Sequence, residues 1–359
     1  MTLQRLDIQH IRNITQESIN PSPFINIIIG DNASGKSSLL ESIFILGRAH
    51  SFRTSKLKNV ISHDKDFFIV SGSVVGADRQ SLRLGVKFDS KAIEIHVNQQ
   101  QSHKRSDLAY ALPIQLFYSK SYDLLESSAR FRREFLDWGV FNTEKSFLLA
   151  WRNFRKILLQ RNELLKKKQV KYIKFWDKEL IHYALIINQF RCQYLEAFTP
   201  FFIESCQFFL PTSHINFHLN SGWDISKTLS ECLALNLEND LRFGFTRFGP
   251  HRCDFSISVD GYLSKDVVSR GQLKLLITCL KLAQIRMLKS TFSISSTVLM
   301  DDFNSDIDFD NRNKLLSYLS SLSCQVFIAG NSLSEFGDLL DINSYGVFHV
   351  KHGHVSQTN

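Results

Sequence analysis

The sequence predicts an α/β fold in which a parallel-sheet domain is divided by a mostly helical insertion. Short, continuously apolar runs alternate with helical patterns near both ends of the chain, the order expected of a parallel sheet. From about residue 120 the pattern turns helical and charged, and the apolar runs resume only near the C-terminus. The expected division is 1–119 plus 241–359 for the parallel-sheet domain and 120–240 for the insertion. A chain of 359 residues, 43% of them hydrophobic, has material for one large domain or two.

The elements follow in order. Residues 3–11 alternate apolar and polar side chains, as a half-buried strand does. Residues 24–29 form a short apolar run and read as a buried strand. Residues 36–46 read as a helix, with Leu39, Leu40, Ile43 and Leu46 at helical spacing. Residues 67–75, 82–88 and 92–98 read as strands of an antiparallel meander. Far downstream, residues 272–288 are expected to be a helix with Leu273, Leu276, Leu280 and Ala283 on one face. Residues 296–302 form an apolar strand ending in two carboxylates. A helix over 311–322, a buried strand over 324–329 and a last strand over 346–350 complete the pattern.

Between the strand at 24–29 and its following helix lies Gly30-Asp31-Asn32-Ala33-Ser34-Gly35-Lys36-Ser37-Ser38, which fits the phosphate-binding P-loop. Gly30 and Gly35 permit backbone conformations that a side chain obstructs. The N–H groups freed there, with the helix N-terminus, point at polyphosphate. Lys36 supplies charge to the outer phosphates, and the Ser37 hydroxyl is placed to ligate Mg²⁺. ATP and Mg²⁺ are the cofactors this pattern implies.

The strand at 296–302 supplies a second half to such a site. Asp301, at the strand end, is the expected Mg²⁺ ligand, and Asp302 the expected general base for an attacking water. Ser269-Arg270-Gly271-Gln272 opens the helix before that strand and forms a second anion site at a helix N-terminus. One nucleotide has no need of two phosphate cradles in one chain. The arrangement makes sense if this segment of one subunit closes over the nucleotide on the P-loop of another.

The net charge of +8 favours an anionic partner, nucleic acid first among them. The most basic stretch is 152–178, where only Glu163 and Asp177 oppose the cations. Trp151, Phe154, Leu158 and Leu165 give it an apolar stripe at helical spacing. It reads either as a solvated helix face or as a surface that tracks phosphates. Arg53, Arg152, Arg155, Lys156 and Arg161 are the candidate DNA contacts. The six cysteines lack metal-ligand spacing and read as small buried side chains. No stretch approaches the roughly 18 apolar residues of a membrane span. The opening residues lack a signal-peptide layout, so a cytoplasmic location is expected.

Together, the P-loop, Ser269-Arg270-Gly271-Gln272 and Asp301-Asp302 resemble the ATP-binding-cassette family. The long gap between the halves is similar to its SMC-like branch, whose ATPase head is split by an insertion or lid domain. Further stretches resemble the bacterial DNA replication and repair members of that branch. These are Ser51-Phe52-Arg53-Thr54, Phe131-Arg132-Arg133-Glu134-Phe135-Leu136-Asp137-Trp138, Gln160-Arg161-Asn162 and Gly249-Pro250-His251-Arg252. The resemblance runs over nearly the whole chain.

The resemblance implies an ABC/SMC-type ATPase head that forms an ATP-dependent homodimer and binds DNA, as duplex or near single-strand junctions. It implies slow, DNA-stimulated ATP hydrolysis, and partners RecO and RecR, with RecA downstream. By position, Gln115 looks like the glutamine that senses Mg²⁺ and the γ-phosphate. Ser305-Asp306-Ile307-Asp308 resembles the loop that runs along the dimer interface, though the family's usual stretch is Ser-Glu-Leu-Asp. Gly330-Asn331-Ser332 stands where many members place a switch histidine, and no histidine is present. His251 and Arg252 are matched by motif alone, as interface or as packing residues. Two rival readings are a transporter's ATPase subunit, for which the insertion is long and basic, and a nucleotide-gated scaffold with negligible turnover.

Overall fold

In the structure, a computed structural model, residues 1–76, 80–211, 214–301, 308–336 and 345–358 are described. The chain opens with β1 (Thr2–Ile11) and β2 (Ile14–Ile19), an antiparallel pair, then β3 (Ile25–Ile29) and α1 (Lys36–Arg48). Strands β4 (Phe68–Val75), β5 (Ser81–Phe88), β6 (Ile93–Val97) and β7 (Gln100–Ser102) follow, then α2 (Arg105–Ala111) and β8 (Ile114–Phe117). A largely helical stretch comes next: α3 (Asp123–Glu126), α4 (Ala129–Thr143), α5 (Phe147–Lys166) and the 40-residue α6 (Val170–Phe209). It continues through β9 (Ile215–Asn220), α7 (Leu229–Leu235), α8 (Leu237–Phe243), β10 (Asp254–Val259), β11 (Tyr262–Leu263), α9 (Ser264–Val267) and α10 (Arg270–Phe292). The chain closes with β12 (Thr297–Met300), α11 (Phe309–Ser321), β13 (Val326–Gly330), β14 (Tyr345–Lys351) and β15 (His354–Thr358).

The fold divides into two compact units, 1–121 with 288–359, and 122–287. The first holds two six-stranded sheets. One is antiparallel, in the order β2-β1-β4-β5-β6-β7, so the expected meander also takes in the first two strands. The other runs β15-β14-β3-β13-β12-β8 and is parallel from β14 to β8. Its central strands β3, β12 and β13 are buried at every residue, which explains why they read as continuous apolar runs rather than alternating ones. Helix α1 is buried from Ser38 to Gly47 on all sides, and one hydrophobic core joins it to residues of both sheets. Strands β2 and β15 were not expected. β15 buries only Val355, and β2 buries only its two end residues, so neither carries a clear pattern.

The second unit is the helical insertion with a small antiparallel sheet, β11-β10-β9. Its return boundary falls at 288, not at the expected 241. The reason is pairing. β10 lies along β9, and Gln284 of α10 donates to the Phe135 carbonyl at 3.0 Å and to Tyr194 Oη at 2.9 Å. These bonds hold residues 241–287 to the insertion.

Candidate nucleotide site

In the first unit, the carboxyl ends of β3, β13 and β12 lie side by side, the place where open parallel sheets bind ligands. The P-loop follows β3, Asn331 follows β13 and Asp301 follows β12. They line one cavity of about 720 Å³ with Arg12, Asn13 and Arg53. All nine expected P-loop residues, Gly30 excepted, are in that lining. Gly30 sits just behind it with φ +157°, where an added Cβ would stand 2.2 Å from the Val350 carbonyl oxygen. No side chain other than hydrogen fits there.

The loop is held in shape from behind. Asn13 Nδ2 donates to the Ser34 carbonyl at 2.9 Å, and the Gly353 N–H donates to the same oxygen at 2.7 Å. Ser38 Oγ donates to Asn13 Oδ1 at 3.0 Å. Helix α1 begins with no side-chain cap and no acidic residue in its first turn. Its first N–H groups, which have no acceptor inside the helix, therefore face the cavity without a competing anion. Ser34 Oγ is buried in the lining with no hydrogen-bond partner. An orphaned hydroxyl, open helix amides and Lys36 in one cradle fit a polyphosphate. Lys36 Nζ rests on the carbonyls of Gly30 (2.5 Å) and Asp31 (3.0 Å) and on Asn331 Oδ1 (3.2 Å).

Ser37 Oγ donates to Asp301 Oδ1 at 2.9 Å, although 264 residues separate them. The Asp301 N–H donates to the Phe117 carbonyl at 2.8 Å, which fixes the end of β12 against β8. A hydroxyl and a carboxylate from two strand ends form the oxygen pair that suits Mg²⁺.

The remaining expected residues fall elsewhere. Gln115 is buried within β8, opposite Val298 and two residues short of the strand end, and is not in the cavity lining. Asp302, Ser305, Asp306 and Ile307 lie outside the described residues. Asp308 caps α11, its side chain accepting from the Asn311 N–H at 2.9 Å. Ser269, Arg270, Gly271 and Gln272 belong to the second unit. Ser269 and Gln272 form a reciprocal capping box at the start of α10, Ser269 N–H to Gln272 Oε1 at 2.9 Å and Gln272 N–H to Ser269 Oγ at 3.3 Å.

Arg53 was expected on DNA, yet it lines the P-loop cavity. It shares the fully buried Glu41 with Arg12, which donates to that carboxylate at 2.9 and 3.0 Å. Sequence reasoning missed Arg12, Asn13 and Glu41. The available signal was Glu41 itself, a carboxylate set among the apolar positions of α1.

Among the other DNA candidates, Arg152, Arg155 and Lys156 are exposed on α5. Arg161 is not: it is fully buried. Its Nε donates to Asp177 at 2.7 Å, and its Nη1 to Asp240 and to Thr246 Oγ1, both at 2.8 Å. A guanidinium so enclosed holds the insertion together and presents nothing to phosphate. The neighbouring motifs do the same work. Arg132 pairs with Asp254 at 2.7 Å, and Arg191 takes Asp137 with two hydrogen bonds and the Pro250 carbonyl with a third. Burial pushes the Asp137 and Asp240 carboxyls up, and their arginines pull back. His251 also packs: its Nε2 lies 3.0 Å from the Thr246 carbonyl, and burial lowers its pKa to about 4. Five of the six cysteines are buried and Cys192 is half-buried. Among the described residues, no helix is long and apolar enough to cross a membrane.

Fold and site together define an ABC/SMC-type P-loop ATPase head with a mostly helical insertion. The model of the RecF/RecN/SMC N-terminal domain family matches residues 2–356. The "DNA replication and repair protein RecF" of Pseudoalteromonas translucida is 38% identical, over 99% of both chains, and that of Vibrio campbellii is 38% identical over 99% of this chain and all of its own. The solved structure of "the recombination mediator protein RecF-ATP in RecFOR pathway" superposes with a TM-score of 0.89 at 26% identity, covering 100% of this chain and 98% of that one. The Smc head of Pyrococcus furiosus shares the fold, with a TM-score of 0.62 at 14% identity over 99% of this chain and 96% of its own. The chain belongs to the RecF family.

Proposed function

We propose that this protein is an ATP-binding recombination mediator of the cytoplasm, which dimerises on ATP, binds gapped or duplex DNA near single-strand junctions, and assists RecA loading with RecO and RecR. The observation that carries the reading is the cavity at the strand ends, where Lys36, open helix amides and the Ser37–Asp301 pair converge. The names of the RecF relatives and the RecFOR structure support the pathway.

In this reading, Lys36 leaves its carbonyl contacts for the outer phosphates, and Ser34 gains the partner it lacks. Ser37 and Asp301 would hold Mg²⁺, which supplies positive charge against the phosphate oxygens when bound. Asp302 takes the proton of the attacking water. Ser269 and Gly271 of a second copy complete the cage; Ser269, Arg270 and Gln272 at the start of α10 are exposed. Turnover is slow and DNA-stimulated, and it releases the dimer from DNA.

The test is sedimentation velocity with and without Mg-ATP, on the wild type and on Ser269→Arg. A wild-type dimer that requires ATP, and a variant that stays monomeric while still binding ATP, is the expected result. A wild type that stays monomeric with ATP and DNA both present overturns the composite site. Steady-state phosphate release with and without DNA then separates an ATPase from a scaffold with negligible turnover.

A further inference from the structure

The last residues of α8 in the second unit and the loop that leaves it display three arginines and two phenylalanines together. Phe243 and Phe245 are 53% and 38% exposed. Arg242 and Arg247 lie over the Phe243 ring at 5.7 and 5.5 Å from its centre, and Arg252 lies over Phe245 at 5.1 Å. All three arginines are exposed. Among the described residues the ion pairs of this unit belong to Lys166 and to other arginines, namely Arg130, Arg132, Arg161, Arg191 and Arg286. Among the described residues none of the three loop arginines forms an ion pair, though Asp240, already paired with Arg161, lies near enough to Arg247 to feel its charge.

The loop is also fastened from beneath. Thr246, between the two displayed groups, is buried. Its N–H and its hydroxyl both donate to Asn162 Oδ1 at 2.8 Å, and Arg161 donates to the hydroxyl. The Arg247 N–H donates to Asp240 at 3.2 Å, and Gly244 closes α8 in the left-handed region at φ +73°. The Arg252 N–H donates to the Gly249 carbonyl at 2.8 Å. The two motifs left without a chemical role, Gln160-Arg161-Asn162 and Gly249-Pro250-His251-Arg252, thus form a pedestal. They fix a recognition loop before any ligand arrives, which lowers the entropy lost on binding.

We propose that residues 242–252 form a contact for single-stranded DNA, with bases stacking on Phe243, Phe245 and the guanidinium planes while the arginine charges face phosphates. Unpaired bases offer the flat faces that such a surface fits. A duplex offers it phosphates alone. An acidic peptide would answer the charges and leave the rings in water. The inference rests on the DNA-binding reading above and adds the place and the strand type.

The experiment is fluorescence anisotropy of the full chain with labelled oligo-dT and with a duplex of equal length, each across a salt series. Phe243→Ala/Phe245→Ala is expected to weaken oligo-dT binding by about tenfold or more and to leave the duplex nearly unchanged. Tyrosine at both positions should restore the single-strand affinity. Arg242→Gln/Arg247→Gln/Arg252→Gln should lower the salt slope for oligo-dT by about 2, from roughly 0.7 per phosphate contact. Circular dichroism melts keep a folding defect from being read as a binding defect. A wild type that binds neither nucleic acid defeats the DNA reading as a whole. A wild type that binds, with both variants matching it in affinity and slope, defeats the loop alone. Equal losses for duplex and oligo-dT on removing the rings defeat the stacking chemistry.

Discussion

The cations of the P-loop cavity and those of the insertion's interior are the same residue types in opposite circumstances. In the cavity, Arg12 and Arg53 share one carboxylate, Glu41, and Lys36 has only carbonyl and amide oxygens. In the insertion, Arg161 and Arg191 are wholly buried and face Asp177, Asp240 and Asp137. A cation held by neutral oxygens beside open space, as Lys36 is, can take the charge of a ligand. Charge paired with carboxylates inside a core is architecture, since a buried pair adds little but is damaging to break.

The sharpest way to break this contrast is Arg161→Met. It strands Asp240 in the interior and should cost about 3–5 kcal/mol of stability, read as a lower urea midpoint. Nucleotide affinity of the folded fraction should not change. If the variant melts like the wild type, Arg161 is not the fastening described.

Acid attacks the same interior. His251 is held near pKa 4 by burial, while the unfolded chain takes up its proton near 6.5. Its contribution is whole above pH 6.5 and drains away as pH falls towards 4, by about 3 kcal/mol. Urea midpoints of wild type and His251→Phe should converge or cross over that window. Parallel pH profiles would falsify this assignment.

Lys36→Met sharpens the other side. It should weaken nucleotide binding by tens-fold or more, about 2–3 kcal/mol from a lost charged hydrogen bond. Stability should move by no more than about 0.5 kcal/mol, because the side chain is half in solvent. Titration with a fluorescent ATP analogue checks it, and a large drop in melting temperature would reclassify Lys36 with Arg161. The smallest effect is expected at Asp301→Asn. The Mg²⁺ concentration for half-maximal nucleotide binding should rise about tenfold, with Mg²⁺-free affinity unchanged.

Legibility in the sequence differed between the two regions for a physical reason. The P-loop is contiguous, so its glycines, Lys36 and Ser37 declare their roles within a few residues. The antiparallel pair β14–β15 was half visible, because an edge strand with one buried residue has little pattern to show. In the stretch 152–178, Arg161 looks like its neighbours. Helical spacing marks it neither as buried nor as exposed, and the carboxylates that claim it lie at 177 and 240. The place of Arg53 in the P-loop cavity was hidden for a similar reason: its partner Glu41 sits in a helix that otherwise reads as apolar.

By itself the sequence determined the α/β class, the parallel sheet of buried strands, the phosphate cradle and the acidic strand end at Asp301. Each depends on backbone geometry or on periodicity within one segment. Tertiary structure alone decided which cations are free. It put Arg53 beside the P-loop, closed Arg161 behind two carboxylates, and left Arg242, Arg247 and Arg252 stacked in the open. The value of a charge is set by what stands within a few ångströms of it, and those neighbours come from distant parts of the chain.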